Sequence, residues 1–212
     1  MTRSRHRAWI GFVAGISAFA ATGALALTRA GAPGPARSTG PEGVPVPAAR
    51  PLAPPKALHA GERIDGITCQ TGEELAYHIH AHLTIVVRGR SRQVPAGIGI
   101  APPYEVALTP GGRFVAGGSC FAWLHTHAAD GIIHIESPVK RIYTLGSFFD
   151  IWGQPLNHRR VGPARGVVIA VFNGRVVTGN PREIPLLAHG QIQLDVGQAL
   201  IDPEHISFPQ GL

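Results

Sequence analysis

Six of the eleven histidines in this 212-residue chain fall in two short windows. They are His78, His80, His82, His125, His127 and His134. Neutral imidazole is the commonest side-chain ligand for divalent transition-metal ions. The pattern therefore predicts a multi-histidine metal site. Such a site suits Cu(II) or Zn(II), and the sequence does not choose between these two ions.

The spacing of these histidines is that of β-strands, in which successive side chains point to opposite faces. In each of three predicted strands, the polar positions share one face and aliphatic residues occupy the other. The three polar faces carry, in chain order, His78, His80 and His82, then His125 and His127, then His134 and Glu136. We therefore predict that three strands turn their imidazoles into one pocket.

The strand spacing also bears on how many ions the pocket holds. Two histidines at positions i and i+2 lie ~6.7 Å apart at Cα, so both rings can reach one ion. His78 and His82 are separated by ~13 Å at Cα, which is too far for the whole row to bind one ion. One ion with a supporting histidine, or two ions, are the two arrangements expected. Glu136 and Asp130 are the carboxylates placed to orient a ring or complete the site, and Glu73 and Glu74 are less well placed.

Metal capture, buffering or delivery is the leading functional hypothesis, and two others stay open. The first is a metalloenzyme at the same pocket, either a copper oxidase or a hydrolase with Glu136 or Asp130 as base. The second is an interaction domain whose histidines sense acid pH without a metal.

The only two cysteines, Cys69 and Cys120, are predicted to form one disulfide, as a single pair in an exported chain most simply does. The alternative is a catalytic thiol at Cys120, near His125. With the cysteines paired and Met1 the only methionine, a Cu(I) site built on sulfur ligands is disfavoured.

The N-terminal residues predict export. Three arginines in the first seven residues precede an apolar run over 8–27, about the ~20 residues that span a bilayer. Residues 1–30 are therefore a signal peptide, with an A-x-A cleavage site at 24–26, or a membrane anchor. The length of the run favours the anchor. Both interpretations place the rest of the chain outside the cytoplasm, in the periplasm or at the cell surface.

The formal charge of +6 is confined to the N-terminal part of the chain. Residues 1–57 hold seven of the 19 Lys and Arg and one of the 13 acids, so residues 58–212 hold 12 of each and are formally neutral. This distribution excludes nucleic acid as a partner. Residues 31–57 contain eight prolines and predict a disordered tether, which leaves 58–212 as the histidine-rich domain.

For this domain the sequence predicts a mostly β fold, an antiparallel sheet or a barrel, with one short helix. The histidine strand covers 77–87, a return strand covers 92–100, and residues 101–118 read as a long irregular connection. The helix covers 144–152, with Thr144 or Ser147 as its N-cap and Gly153 at its end. Asn173-Gly174 marks a hairpin turn.

Three blocks of sequence carry a resemblance to a known group of proteins. YHIHAHLTIVV, WLHTHAADGIIHIESP and YTLGSFFDIWGQPL resemble a family of exported bacterial proteins that share these blocks. The resemblance covers residues 67–197. It implies an exported histidine-rich domain, and it implies no particular activity.

Two metal-binding families are matched in part. The segment His80–His82 with Gly89 is similar to the cupin motif, but valines occupy positions 86–87, where a cupin has its glutamate ligand. The segment Trp123–His127 with Gly131 is similar to a multicopper oxidase motif, although the chain lacks the H-C-H segment of those enzymes.

Overall fold

The computed structural model describes residues 38–212 together with Met1. The predicted signal peptide or anchor, beyond Met1, and the first part of the predicted tether lie outside the described residues. Among residues 38–212, no helix has the length and apolar character needed to cross a membrane.

The described part of the chain is mostly β, with one α-helix, as predicted. In chain order its elements are β1 (Ser38–Thr39), β2 (Pro45–Val46), β3 (Arg63–Ile64), β4 (Ile67–Gln70), β5 (Tyr77–Val87), β6 (Arg90–Arg92), β7 (Ile100–Ala101), β8 (Glu105–Thr109), β9 (Gly112–Gly117), β10 (Cys120–Ala122), β11 (Leu124–His125), β12 (Ile132–Ser137), β13 (Tyr143–Thr144), α1 (Leu145–Trp152), β14 (Leu156–Asn157), β15 (Arg160–Val161), β16 (Ala164–Arg165), β17 (Val168–Phe172), β18 (Arg175–Val177), a 3-10 helix (Pro181–Glu183), β19 (Pro185–Leu186) and β20 (Gly190–Val196).

The largest sheet has seven strands and is built around the histidine strand β5. Its order is β11-β12-β5-β20-β17-β18, and β6 pairs with the far end of β5. Strand β5 runs antiparallel to β12 and parallel to β20. The sheet is mostly antiparallel, and β11 and β18 are its edges, so the fold is an open sheet and not a closed barrel.

The aliphatic face of β5 lies in the main core. Ala81, Leu83 and Ile85 are buried there together with Phe148 and Trp152 of the helix. Aromatic side chains bury large apolar areas and so stabilise such a core strongly. The aromatic residues of the helix are thus part of the core.

Both predicted ends of the helix are confirmed. The Thr144 hydroxyl accepts a hydrogen bond from the Ser147 amide at 3.3 Å, as an N-cap does. Gly153 ends the helix in the left-handed conformation, with φ of 71°, where glycine carries no steric penalty.

The predicted disulfide is confirmed. Cys69 on β4 and Cys120 on β10 are bonded, with 5.4 Å between their Cα atoms, and no free cysteine remains. Strands β4 and β10 pair in a second sheet of four strands. The alternative of a catalytic thiol at Cys120 is therefore wrong, because its sulfur is in the bond.

The stretch 38–57 differs from the disordered tether that its composition predicts. Its first part forms the β1–β2 hairpin, and two of its residues, Val44 and Leu52, are buried. Val44 is fully buried in a small cluster with Ile132 and Ile206. A few apolar side chains therefore suffice to hold this Pro-rich stretch against the domain.

Two other segments also differ from prediction. Residues 101–118 contain the β8–β9 hairpin, in which the strands are short and their Gly- and Pro-rich flanks hide the strand pattern. The predicted return strand over 92–100 is interrupted, because Pro95 and two glycines follow the short strand β6. Gln93 forms an isolated parallel bridge with Pro51, and Ile100–Ala101, at the end of the segment, pairs with β10.

The C-terminal tail covers the polar face of the large sheet. Gln191 on β20 binds the backbone of Ile206 twice, accepting from its amide at 2.8 Å and donating to its carbonyl at 3.1 Å. Ile206 is buried with Val44 and with Ile132, which shares its strand face with His134. The tail and the 38–57 stretch thus enclose the side of the sheet that carries the histidines.

Candidate metal centre

The strand register aligns the polar residues of three neighbouring strands. His134 on β12 lies opposite His80 on β5 and opposite His125 on β11. Glu136 lies opposite His78. Because directly paired residues of an antiparallel sheet point to the same face, these side chains converge on one face. His127 joins them two residues after His125.

The first group of candidate ligands consists of His78, His80, His134 and Glu136. Its four donor atoms form a ring. His78 Nε2 is 3.0 Å from His80 Nε2, which is 3.2 Å from His134 Nδ1. Glu136 Oε1 closes the ring at 3.1 Å from His134 Nδ1 and 3.1 Å from His78 Nε2. Two ligands held at ~2.1 Å from one ion stand ~3.0–3.4 Å apart, so these atoms are spaced like neighbouring ligands of one ion.

The second group consists of His125, His127, His134 and Glu136, all buried, with one donor atom from each within 4.8 Å of the others. His125 Nδ1 donates to the Ala122 carbonyl at 3.0 Å, and His127 Nδ1 donates to the Val115 carbonyl at 2.6 Å. Such bonds fix the neutral tautomer that leaves Nε2 unprotonated. The two free Nε2 atoms face each other at 3.1 Å.

Thr126 holds the second group in place. Its buried hydroxyl donates to the Pro95 carbonyl at 2.7 Å and accepts from the Ile98 amide at 3.1 Å. The histidines on either side of Thr126 therefore point away from this loop, toward the other ligands. The loop approaches closely enough that a Cβ at Gly99 would lie 2.2 Å from the Leu124 carbonyl oxygen, so only glycine fits.

Glu42 is a member of the site that sequence analysis missed. Its Oε1 accepts from His134 Nε2 at 2.6 Å, while His134 Nδ1 faces Glu136. Burial lowers the pKa of the His134 imidazole, but the carboxylates of Glu136 and Glu42 outweigh burial and raise that pKa to about 9. The available signal was that Glu42 is the single acidic residue of the first 57.

The other buried imidazoles are neutral. Burial, together with neighbouring imidazoles, lowers the pKa of His80 to about 3. The same causes lower the pKa of His127 and hold that of His125 well below its usual value. A neutral imidazole has the free lone pair that a metal ion requires.

His82 and Asp130 lie outside both groups. His82 Nε2 donates to the backbone carbonyl of Asp130 at 2.9 Å, and its register partner on β12 is the aliphatic Ile132. The Asp130 carboxylate accepts from the Ile132 amide at 3.2 Å, and burial followed by the nearby Glu42 raises the pKa of Asp130 to about 8. The structure thus brings together five of the six predicted histidines, with Glu136, and leaves the sixth aside.

Glu73, which precedes the histidine strand, reaches the site. Its Oε1 lies 3.4 Å from His127 Nε2, and its side chain is 34% exposed. Glu74 instead accepts from Gln70 Nε2 at 2.6 Å. His78, with 37% of its side chain exposed, is the accessible member of the ligand groups. The centre is therefore accessible to solvent at His78 and at Glu73.

Comparisons of the chain with known protein families, with curated proteins and with solved structures find no match. The geometry and chemistry of the site itself are therefore what indicate a function.

Proposed function

We propose that this protein binds transition-metal ions outside the cytoplasm, and that it captures, buffers or delivers Cu(II) or Zn(II). The observation that carries the proposal is the ring of four donor atoms in the first group, with neighbours 3.0–3.2 Å apart. Three imidazoles and one carboxylate form a donor set that suits either ion.

The surroundings of this ring support a metal over a purely structural polar cluster. His125 and His127 each donate to a backbone carbonyl through Nδ1, the outer contact that metal-binding histidines usually make. Buried polar groups are costly unless they are paired, and Glu136 Oε2 is buried with no hydrogen-bond partner among the described residues. A bound cation would give the unpaired Glu136 oxygen a partner and would use the Nε2 lone pairs that the Nδ1 bonds leave free.

The extracytoplasmic part of the proposal has separate support. The Cys69–Cys120 disulfide fits a chain that folds in an oxidising compartment. The charged and apolar N-terminal sequence predicts export, with attachment to the membrane or secretion after cleavage.

The test is a binding titration of the full chain, because the 38–57 stretch contributes to the site. Metal-free protein is titrated with Zn(II) and, separately, with Cu(II) against a chelator of known affinity. We expect binding tighter than micromolar, and at least a tenfold loss of affinity in His80→Ala. The matched control is His158→Ala, an exposed histidine on the β14–β15 turn, which should leave the affinity unchanged. Binding weaker than micromolar, or equal binding by His80→Ala, would contradict the proposal.

A metal-dependent hydrolase is the second candidate, and Glu73 is the observation that favours it. This carboxylate lies at the exposed edge of the centre, 3.4 Å from His127 Nε2, where a general base could activate a metal-bound water. Asp130 lies outside both groups and Glu136 lies within both, so neither is free for the role of base. An open coordination position occupied by water, seen in the absorption spectrum of the Co(II)-loaded protein, would support this candidate. A spectrum that does not change when an anion such as azide is added would exclude it, because no exchangeable water would then occupy the ion.

A further inference from the structure

We propose that the centre holds two metal ions at once, one in each ligand group, with the Glu136 carboxylate bridging them. This inference rests on the proposed function and adds a second, buried ion position at His125 and His127. The ions it takes are divalent cations of the Cu(II) and Zn(II) class.

The first observation is the placement of the two Glu136 oxygens. Oε1 is part of the first group, 3.1 Å from both His78 Nε2 and His134 Nδ1. Oε2 points toward the second group, 3.8 Å from His125 Nε2. This oxygen is buried and accepts no hydrogen bond from the described residues. A carboxylate placed in this way presents one oxygen to each ion position.

The second observation is the pair of facing nitrogens in the second group. The Nδ1 protons of His125 and His127 are used by the Ala122 and Val115 carbonyls, so each Nε2 is an acceptor. The two acceptors are 3.1 Å apart, and both rings are buried. Two lone pairs at this distance repel each other unless a cation lies between them. Nitrogens of one metal ion stand at this spacing.

The third observation is that the ligands divide into two groups around a shared centre. The His134 ring lies 4.5 Å from the His80 ring and 4.5 Å from the His127 ring, measured between centroids. His78 and His80 belong to the first group alone, and His125 and His127 belong to the second alone. Each pair thus supplies two ligands of its own. Glu136 has one oxygen for each ion, whereas the single nitrogen of His134 that is not bonded to Glu42 can bind only one of the two ions.

The two positions differ in access. The first group includes His78, whose side chain is 37% exposed, whereas every member of the second group is buried. An ion in the first position can therefore exchange with solvent directly. An ion in the second position has no exposed ligand, and it reaches solvent past the first group or past Glu73, which lies 3.4 Å from His127 Nε2.

The experiment counts ions per chain. Full-length protein is loaded with Zn(II), freed of loose ions by gel filtration, and analysed for zinc and protein by mass spectrometry. We expect two ions per chain in the unmodified protein and in His158→Ala, and one ion in His127→Ala. A second measurement needs no variant: electron paramagnetic resonance of the fully Cu(II)-loaded protein should show magnetic coupling between two copper ions, and Glu136→Gln should weaken it.

The outcomes separate the inference from the proposed function. One tightly bound ion whose binding depends on His80, with no copper–copper coupling, would overturn the two-ion centre and leave the proposed function standing. No tightly bound ion would overturn both. Two ions that persist in a folded His127→Ala variant would also overturn the inference, because the second position would then lie elsewhere. Thermal unfolding of each variant establishes that it is folded.

Discussion

The His134 imidazole donates to the Glu42 carboxylate through Nε2 at 2.6 Å, across 92 positions of the sequence. This contact turns Nδ1 of the same ring toward His80 and Glu136. A carboxylate that holds the outer nitrogen of a metal-binding histidine orients the ring and raises its basicity. Glu42 therefore connects the N-terminal stretch of the described chain to the centre of the site.

We predict that Glu42→Ala weakens metal binding by ~10–100-fold, the usual effect of losing such an outer contact. Glu42→Gln should lose less, because its amide oxygen still accepts from Nε2. Competition against a chelator of known affinity measures both losses. The matched control is Glu183→Gln, an exposed acid in the 3-10 helix, which should bind as the unmodified protein does. Equal affinity in Glu42→Ala would mean that the contact does not orient the ligand.

Metal binding should release a proton from His134. The pKa of this imidazole is raised to about 9, so in the metal-free protein below that pH both ring nitrogens carry protons. An ion that binds at Nδ1 displaces one of them, and the affinity should therefore rise by ~tenfold per pH unit up to about pH 9. His80, with its pKa lowered to about 3, adds no proton in this range.

Calorimetry in two buffers of different ionisation enthalpy counts the released proton at pH 7. A count near one is expected. Binding that releases almost no proton, with an affinity that is flat from about pH 7.5 to pH 8.5, would show that His134 is neutral before the ion arrives. The ordinary histidine pKa of ~6.5 would place the loss of affinity lower, below about pH 6.5, so the two cases are easy to separate.

The alternation of residues along single strands predicted the polar face of each one. This period of two also accounts for the positions of two buried neighbours on β5: His80 lies on the polar face and Ala81 lies on the aliphatic face. The alternation does not fix which residues stand opposite one another on neighbouring strands. His82 occupies the polar face as predicted, but the register pairs it with Ile132, and the ligands of β12 lie further along the strand.

Contacts between distant segments were also beyond the sequence pattern. Glu42 lies in a Pro-rich stretch whose composition resembles a disordered linker. That stretch packs against the domain because Val44 is buried together with Ile132 and Ile206, which come from two remote parts of the chain. Local sequence preferences do not predict contacts between residues so far apart in the chain. A lone acid among prolines was the one local sign of a special role.

Metal removal should destabilise the folded protein. The ligands come from three strands, β5, β11 and β12, and from His127, two residues after β11, so an ion that binds only the folded state holds these elements together. Free ion at 100 times its dissociation constant adds ~2.7 kcal/mol to the free energy of unfolding. For a chain of this size that raises Tm by ~5–11 °C.

Differential scanning calorimetry with Zn(II) and with a chelator measures this shift. His80→Ala should show a smaller shift than the unmodified protein, because its first group lacks a ligand while its second group is intact. A shift of equal size in His80→Ala and in the unmodified protein would assign the stabilisation to ions bound elsewhere.

Thr126→Val tests how the second ligand group is positioned. The change keeps the shape of the side chain but removes the hydroxyl that bonds the Pro95 carbonyl and the Ile98 amide. Both backbone groups belong to buried residues of the loop that contacts Thr126. Leaving such groups unpaired costs ~1–3 kcal/mol of the free energy of unfolding. Urea unfolding of the metal-free protein measures this cost. The matched control is Thr126→Ser, which retains the hydroxyl and should lose less stability.

The same variant should lose its second ion before its first. Once the Thr126 anchor is removed, His125 and His127 are no longer held with their Nε2 atoms 3.1 Å apart, whereas His78 and His80 on β5 are untouched. The zinc content of folded Thr126→Val should therefore fall toward one ion per chain, while Thr126→Ser keeps two. If Thr126→Val is destabilised yet binds both ions with unchanged affinity, the hydroxyl serves the fold alone and the ligands are positioned by their own bonds to Ala122 and Val115.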